Sequence, residues 1–252
     1  MKPLDAKFLS RATSLTAFNL TAADFVKNDY KREIQTLYQL HMFFSFNPSK
    51  ALRPGQLTKT SYNKLVKELK VDNKDQYDKL HNLSLKGIGP AEAVLFLLTR
   101  DGHLLGGRSA GADFADGAVK YEVKAVEWKS KTAKDYMSNF RLGGNINGMA
   151  QLEADVQKAM FSRGYVNNPS AAEIKGSLFQ QFEKDDPVAY NALEERYQKL
   201  ATGYFSGHQT IFIQNDSSQP DFGEIIVIKN IKEKDIKMER YTSRSIKPLV
   251  KA

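Results

Sequence analysis

The sequence predicts a mixed α/β (α+β) fold, and three features support that reading. Apolar residues recur at helical spacing in several segments, the first containing Phe25, Val26, Tyr30, Ile34, Leu37, Tyr38 and Leu40. Two runs of alternating side chains meet at Asp116-Gly117, a dipeptide that favours a tight β-hairpin. Further on, Gln209 to Gln214 and Glu224 to Ile228 are short apolar runs rich in β-branched residues, of strand length. Strands alternating with helical stretches predict a mixed central sheet flanked by helices, with a helical extension ahead of it.

Composition narrows the class. The 252 residues are 41% apolar and 26% charged, ordinary values for a globular chain and incompatible with wholesale disorder. No run of 18 apolar residues is present, so no transmembrane helix is expected. Met1 to Leu20 lacks the continuous apolar stretch of a secretory signal, which predicts a cytoplasmic location. Cysteine is absent, which excludes disulfides and thiolate metal sites and leaves oxygen and imidazole as the only metal donors. The net charge of +8 points to a polyanionic partner. Its distribution is uneven: residues 1–86 hold 15 Lys/Arg against 8 Asp/Glu, residues 229–252 hold 8 against 3, and residues 146–228 hold 6 against 11, so the basic character belongs to the two ends.

Residues 1–85 read as a basic helical extension. A helix from Ala22 to Phe46 would begin at a Thr21 N-cap and end at Asn47-Pro48, because the residue before proline avoids helical geometry. Arg53-Pro54-Gly55 is a turn, and Thr60 to Leu69 forms a short helix with Tyr62, Leu65, Val66 and Leu69 on one face. Lys59, Lys64, Lys67 and Lys70 line its flank, where they are either solvated or follow a phosphate backbone. Asp72 to Lys79 is polar and reads as surface.

Residues 86–232 read as the α/β core. Gly89-Pro90 opens a helix over Ala91 to Leu98, since proline suits the first helical position. Glu92 is the only charge in that apolar run, serving either the helix dipole or a carboxylate site. A short strand at His103 to Leu105 precedes the hairpin, whose second strand is expected to run from Val119 to Trp128. The glycine-rich loop Arg141 to Gly148 leads into a helix over Met149 to Phe161 and lacks the Gly-Lys-Ser/Thr of a Walker loop. A helical insertion occupies residues 170–203 and carries most of the acidic excess. Glu224 to Ile228 is apolar enough to be covered on both faces. Residues 233–252 are expected to be a partly mobile basic tail.

The hairpin concentrates the chemistry. With Asp116 and Gly117 as turn residues, Ala115 pairs with Ala118, Phe114 with Val119 and Asp113 with Lys120. Alternation then puts Asp113, Lys120, Glu122 and Lys124 on one face, and Phe114, Val119, Tyr121 and Val123 on the other. Asp113 and Glu122 become diagonal neighbours roughly 7–8 Å apart at the backbone, near enough to converge on one hard cation. Asp116 is the competing acid, but a turn position aims it away from Glu122.

A helix bearing Glu, an Asp at the start of one strand and Glu-x-Lys on the next resemble the PD-(D/E)xK nuclease superfamily. Gly87-Ile88-Gly89-Pro90-Ala91-Glu92, Gly111-Ala112-Asp113 and Tyr121-Glu122-Val123-Lys124 carry the resemblance, with Ala112 where the motif has proline. The resemblance implies a restriction-endonuclease-like α-β-β-β-α-β core, completed by the Met149 to Phe161 helix and the Thr210 to Gln214 strand. It implies a metal-dependent nuclease cutting DNA internally, in which Asp113, Glu122, the Val123 carbonyl and Glu92 hold Mg²⁺ or Mn²⁺ while Lys124 orients the attacking water. Lys120, Lys129, Lys131 and Arg141 are candidate phosphate contacts. The expected partner is nucleic acid rather than membrane, and the N-terminal helices leave room for a homodimer. The alternative is a nucleic-acid-binding or virion-type structural protein that uses the fold as a scaffold without catalysis. Other enzyme classes find no support: His41, His81, His103 and His208 lack paired metal spacing, and no nucleophile elbow is present.

Overall fold

The computed structural model describes residues 10–11, 31–83, 89–105, 112–126, 136–137, 146–167, 176–214, 223–242 and 245–251. The Thr21 cap, residues 22–30 of the first helix, Trp128, Lys129, Lys131 and Arg141 lie outside them. The chain divides into two compact units, Met1–Glu127 with Gly207–Asn230, and Trp128–Ser206 with Ile231–Ala252. These boundaries differ from the three-part scheme drawn from charge and composition, and the reason is packing: the helices of residues 31–81 bury their apolar faces in the same cluster as the sheet.

In the first unit, helix α1 (Lys31–Phe46) directs Leu37, Leu40, His41 and Phe44 inward at three- and four-residue spacing. His41 is buried as an aromatic, its ring stacked against Tyr38 and Phe96. Helix α2 (Lys59–Asp72) is longer than expected because Thr58 caps it, its hydroxyl oxygen accepting from the Ser61 N–H at 3.1 Å. It buries the expected Tyr62, Leu65, Val66 and Leu69. The stretch read as surface contains helix α3 (Lys74–His81), since Tyr77 and Leu80 form an inward stripe. Its outer face is laced by the pairs Lys74–Asp78 at 2.6 Å and Lys79–Asp75 at 2.8 Å. Helix α4 (Pro90–Leu98) starts from Gly89 as expected and buries seven of its nine residues. The buried Arg11 closes its far end, donating to the carbonyls of Phe96 at 2.7 Å, Thr99 at 2.6 Å and Gly102 at 2.9 Å.

The sheet of this unit is mixed. Its strands are β1 (His103–Leu104), β2 (Phe114–Asp116), β3 (Val119–Val126), β5 (Gln209–Gln214) and β6 (Ile225–Lys229), in the spatial order β1-β2-β3-β5-β6. Neighbours run antiparallel except β3 and β5, which are parallel. One face presents Phe114, Tyr121, Val123, Ile211 and Ile213 to the core shared with α1 to α4. Each such fully buried aliphatic or aromatic side chain stabilises the fold by about 1.5–3 kcal/mol relative to exposure.

Two expectations about this sheet are corrected. The hairpin turn is Gly117-Ala118, not Asp116-Gly117, and Asp116 pairs with Val119, Ala115 with Lys120 and Phe114 with Tyr121. Gly117 occupies the first central position at φ 61°, as a primed turn requires, while Asp116 joins the strand and accepts from the Gly55 N–H at 3.2 Å. The slip is two residues in total, so the side chains keep their faces. Strand β6 is an edge strand with only Ile225 fully buried, so it is not covered on both faces. Asn63 of α2 stands in for a missing partner at its start: the side-chain amide donates to the Ile225 carbonyl at 3.0 Å, and its oxygen accepts from the Ile225 N–H at 2.8 Å.

The second unit holds helices α5 (Met149–Ser162), α6 (Gly176–Asp185) and α7 (Pro187–Phe205) and an antiparallel sheet of β4 (Tyr136–Met137), β8 (Ser245–Lys251) and β7 (Ile236–Thr242), in that order. The expected basic tail is therefore a β7–β8 hairpin, with Ile236, Met238 and Val250 buried. Helix α7 packs on α5, α6 and β7, and the buried Tyr190 hydroxyl donates to the Met238 carbonyl at 3.0 Å. Helix α5, expected to complete the core of the first unit, groups with this unit.

Removing the Asn63 amide leaves both backbone groups of the buried Ile225 without that partner. Asn63→Ala should therefore destabilise the protein by about 2 kcal/mol, read from the midpoint of urea unfolding. A loss below about 0.5 kcal/mol would show that water replaces the tie at no expense.

Candidate functional site

The site forms where β2 leaves the ladder. Asp113 donates its N–H to the Tyr121 carbonyl at 2.9 Å, and its carbonyl accepts from the Leu105 N–H at 2.9 Å. Its carboxylate turns toward β3 and accepts the Val123 N–H at 2.8 Å, where a strand would offer a backbone carbonyl. Asp113 lies one residue beyond the last paired position, Phe114–Tyr121, and its N–H also turns to the Tyr121 carbonyl, so the ladder is irregular there. The two acids, Asp113 and Glu122, meet through a side-chain hydrogen bond.

Glu122 is almost fully buried, with 4% of its surface exposed, and the Lys124 ammonium donates to its Oε1. Glu92 reaches the cluster from the first turn of α4, where the Gly89 backbone holds its carboxylate by a hydrogen bond. Gly89 matters here for space: a Cβ on it would stand 2.8 Å from Glu92 Oε1, so a larger residue would push that carboxylate aside. Asp113, Glu122, Lys124 and Glu92, the four residues read from the sequence, therefore lie within electrostatic reach of one another. Val123 contributes its amide to Asp113 while its side chain is buried in the core. Lys120 is exposed, on the same face as Glu122 by alternation. Asp116 is excluded from the cluster by its place on the opposite face, against Gly55.

Burial and like charge shape the protonation of these acids. Burial, then the charge of Asp113, pushes the Glu92 carboxyl up to about 8, against a smaller pull from the Gly89 hydrogen bond. Asp113 is raised by burial and by Glu122, with the Val123 N–H and Lys124 opposing. Two acids held above their ordinary range thus stand beside a third and a lysine.

The parallel β3–β5 pairing brings in residues that the sequence reading passed over. Thr210 stands beside Glu122 and Phe212 beside Lys124, so a polar row crosses the sheet from Glu122 through Thr210 to Lys229. His208, one residue before β5, lies within reach of the charges of Glu122 and Lys124. Burial holds its imidazole below the ordinary range, with Glu122 opposing. No local sequence signal marks these positions, because only the pairing of distant strands places them here.

Oxygen donors and clustered negative charge suit a hard divalent cation. As placed, these side chains are spent on one another: Lys124 on Glu122, Glu122 on Asp113, Gly89 on Glu92. Among the described residues no three His, Asp or Glu side chains already converge as a metal-holding group, so a cation would have to take over from those internal partners. Among the same residues no helix is long and apolar enough to cross a membrane.

A pH dependence follows from Glu92. In an unfolded chain a glutamate titrates near 4.5, whereas the folded protein holds this proton up to about 8, so between those values the folded state binds more protons. The stabilising contribution is complete below pH 4.5 and is lost as pH rises toward 8. The urea midpoint should fall from pH 5 to pH 8, and Glu92→Gln should flatten that slope and match or exceed the parent at pH 8. An unchanged slope would return Glu92 to the ordinary range. A scan against protein-family models, a search of curated proteins and a search of solved structures each find no match for this chain.

Proposed function

We propose that this chain is a metal-dependent endonuclease that hydrolyses phosphodiester bonds in DNA. The observation that supports it best is the meeting of Asp113, Glu122 and Lys124 on adjacent strands with Glu92 from the preceding helix. Part of the expected order of elements supports it, α4, three antiparallel strands and then β5 parallel to β3, although α5, expected as the second helix of such a core, groups with the second unit.

Asp113 and Glu122, with the Val123 carbonyl and Glu92, would hold Mg²⁺ or Mn²⁺, which supplies Lewis-acid charge to the scissile phosphate. Lys124 orients the attacking water and stabilises the negative charge that builds on the phosphoryl oxygens, a role suited to a compact cation on a flexible stem. The water oxygen forms a bond to phosphorus as the bond to the departing sugar oxygen breaks. One proton leaves the water and one is taken up by the sugar oxygen, giving a phosphomonoester and an alcohol. Lys120 contacts phosphate from the exposed end of the same face, and Lys129, Lys131 and Arg141 are its proposed companions.

A scaffold reading without catalysis is favoured by one observation, the internal pairing of the cluster through Lys124 and Glu122. Supercoiled plasmid separates the two. The expected result is nicking with Mg²⁺ or Mn²⁺ that EDTA abolishes, and a loss of about 100-fold or more in both Asp113→Asn and Lys124→Ala, with far-UV circular dichroism unchanged. DNA that is bound but never cut under either metal would support the scaffold, and full activity in either variant would remove that residue from the mechanism.

A further inference from the structure

One polar atom on β5 and one just before it are buried without a hydrogen-bond partner among the described residues, and both belong to residues near Glu122. Thr210 has no exposed surface, and its Oγ1 is unpartnered although Glu122 flanks it on β3 and Lys229 on β6. His208 follows Gly207, whose φ of 83° turns the chain into β5, and its Nε2 is likewise buried and unpartnered. His208 precedes β5 by one residue and lies within reach of the charges of Glu122 and Lys124, while Thr210 is the register partner of Glu122. An unsatisfied buried polar group is costly, and among the buried polar atoms without a partner these two lie beside the acids and the lysine. They are the arrangement expected of a place kept for a polar ligand.

We infer that His208 Nε2 and Thr210 Oγ1 hold the attacking water next to Glu122 and Lys124. This rests on the proposed hydrolysis. Complete burial of Thr210 selects a ligand the size of water over a phosphate group, and a water joined to two protein groups is satisfied as ordered buried waters are. The chemistry is complementary: the threonine hydroxyl donates into the water oxygen, and a neutral imidazole with a bare Nε2 accepts one of its protons in a hydrogen bond. The surrounding charges are Glu122, Lys124 and, across β5, Lys229.

Three measurements test the inference. In a crystal structure near 1.5 Å, metal-free, an ordered water should lie within hydrogen-bond distance of both His208 Nε2 and Thr210 Oγ1; side chains packed dry, or paired with protein groups, would overturn it. In thermal unfolding, Thr210→Val should melt at or above the parent temperature, because the hydroxyl it removes has no protein partner; a clear fall would assign that hydroxyl a structural role. With Mg²⁺ and a DNA oligonucleotide, Thr210→Val and His208→Phe should lower kcat about tenfold or more with KM held within about twofold, and His208→Gln, which returns a polar atom near Nε2, should recover much of the loss. A rise in KM alone would make the pair a phosphate contact and overturn the assignment to water. A parent that binds DNA and never cuts it sinks the hydrolytic reading and the water's role as nucleophile, while the crystal structure still decides whether these side chains hold a water.

Discussion

The hydrogen bond from the Val123 N–H to the Asp113 carboxylate, 2.8 Å long, is the contact on which the rest of the site depends. A side chain here takes the place of a backbone acceptor on the β3 side, while the Asp113 carbonyl continues the β1–β2 ladder by accepting from Leu105. One residue thereby joins three segments of backbone and keeps an acid pointed at the next strand. Gly117 lies in the turn that pairs Ala115 with Lys120, and the side chain that Asp113 meets is Glu122.

The chain is basic, yet its most buried charges at this site are acids. Burying carboxylates is unfavourable unless donors meet them, and three different donors do so: a backbone amide for Asp113, the Lys124 ammonium for Glu122 and the Gly89 backbone for Glu92. The match is incomplete, since burial and like charge push the Glu92 carboxyl up to about 8 and raise Asp113 above its ordinary range. Such residual tension is what a divalent cation would relieve, and a protein selected for rigidity alone would sooner replace the cluster with apolar residues. The surrounding architecture is firm by comparison. Helix α4 is buried on nearly all sides and closed by Arg11, and β6 is tied at its open edge by Asn63.

Much of this was legible beforehand, for identifiable reasons. Tyr62, Leu65, Val66 and Leu69 declare the inner face of α2 through their spacing, and Gly89-Pro90 announces α4 through the chemistry of helix starts. The faces of the hairpin survived an error in its turn because a slip of two residues preserves alternation. Helix α3 was missed because two inward residues among many charges leave only a faint stripe, and the β7–β8 hairpin was hidden by the lysines and arginines spread along it.

The sequence by itself determined which residues are chemically able to form the site: Asp113, Glu122, Lys124 and Glu92 follow from local order, alternation and one helix start. Tertiary structure alone decided how they meet. The register of the hairpin turns at a glycine of positive φ, the Asp113 carboxylate is aimed by the Val123 amide, and the approach of Glu92 depends on where α4 packs on the sheet. His208 and Thr210 join the site only because β5 lies parallel to β3, a pairing between strands far apart in the chain that leaves no mark on the residues around either. Local spacing encodes faces, whereas long-range pairing is settled by the burial of a whole core.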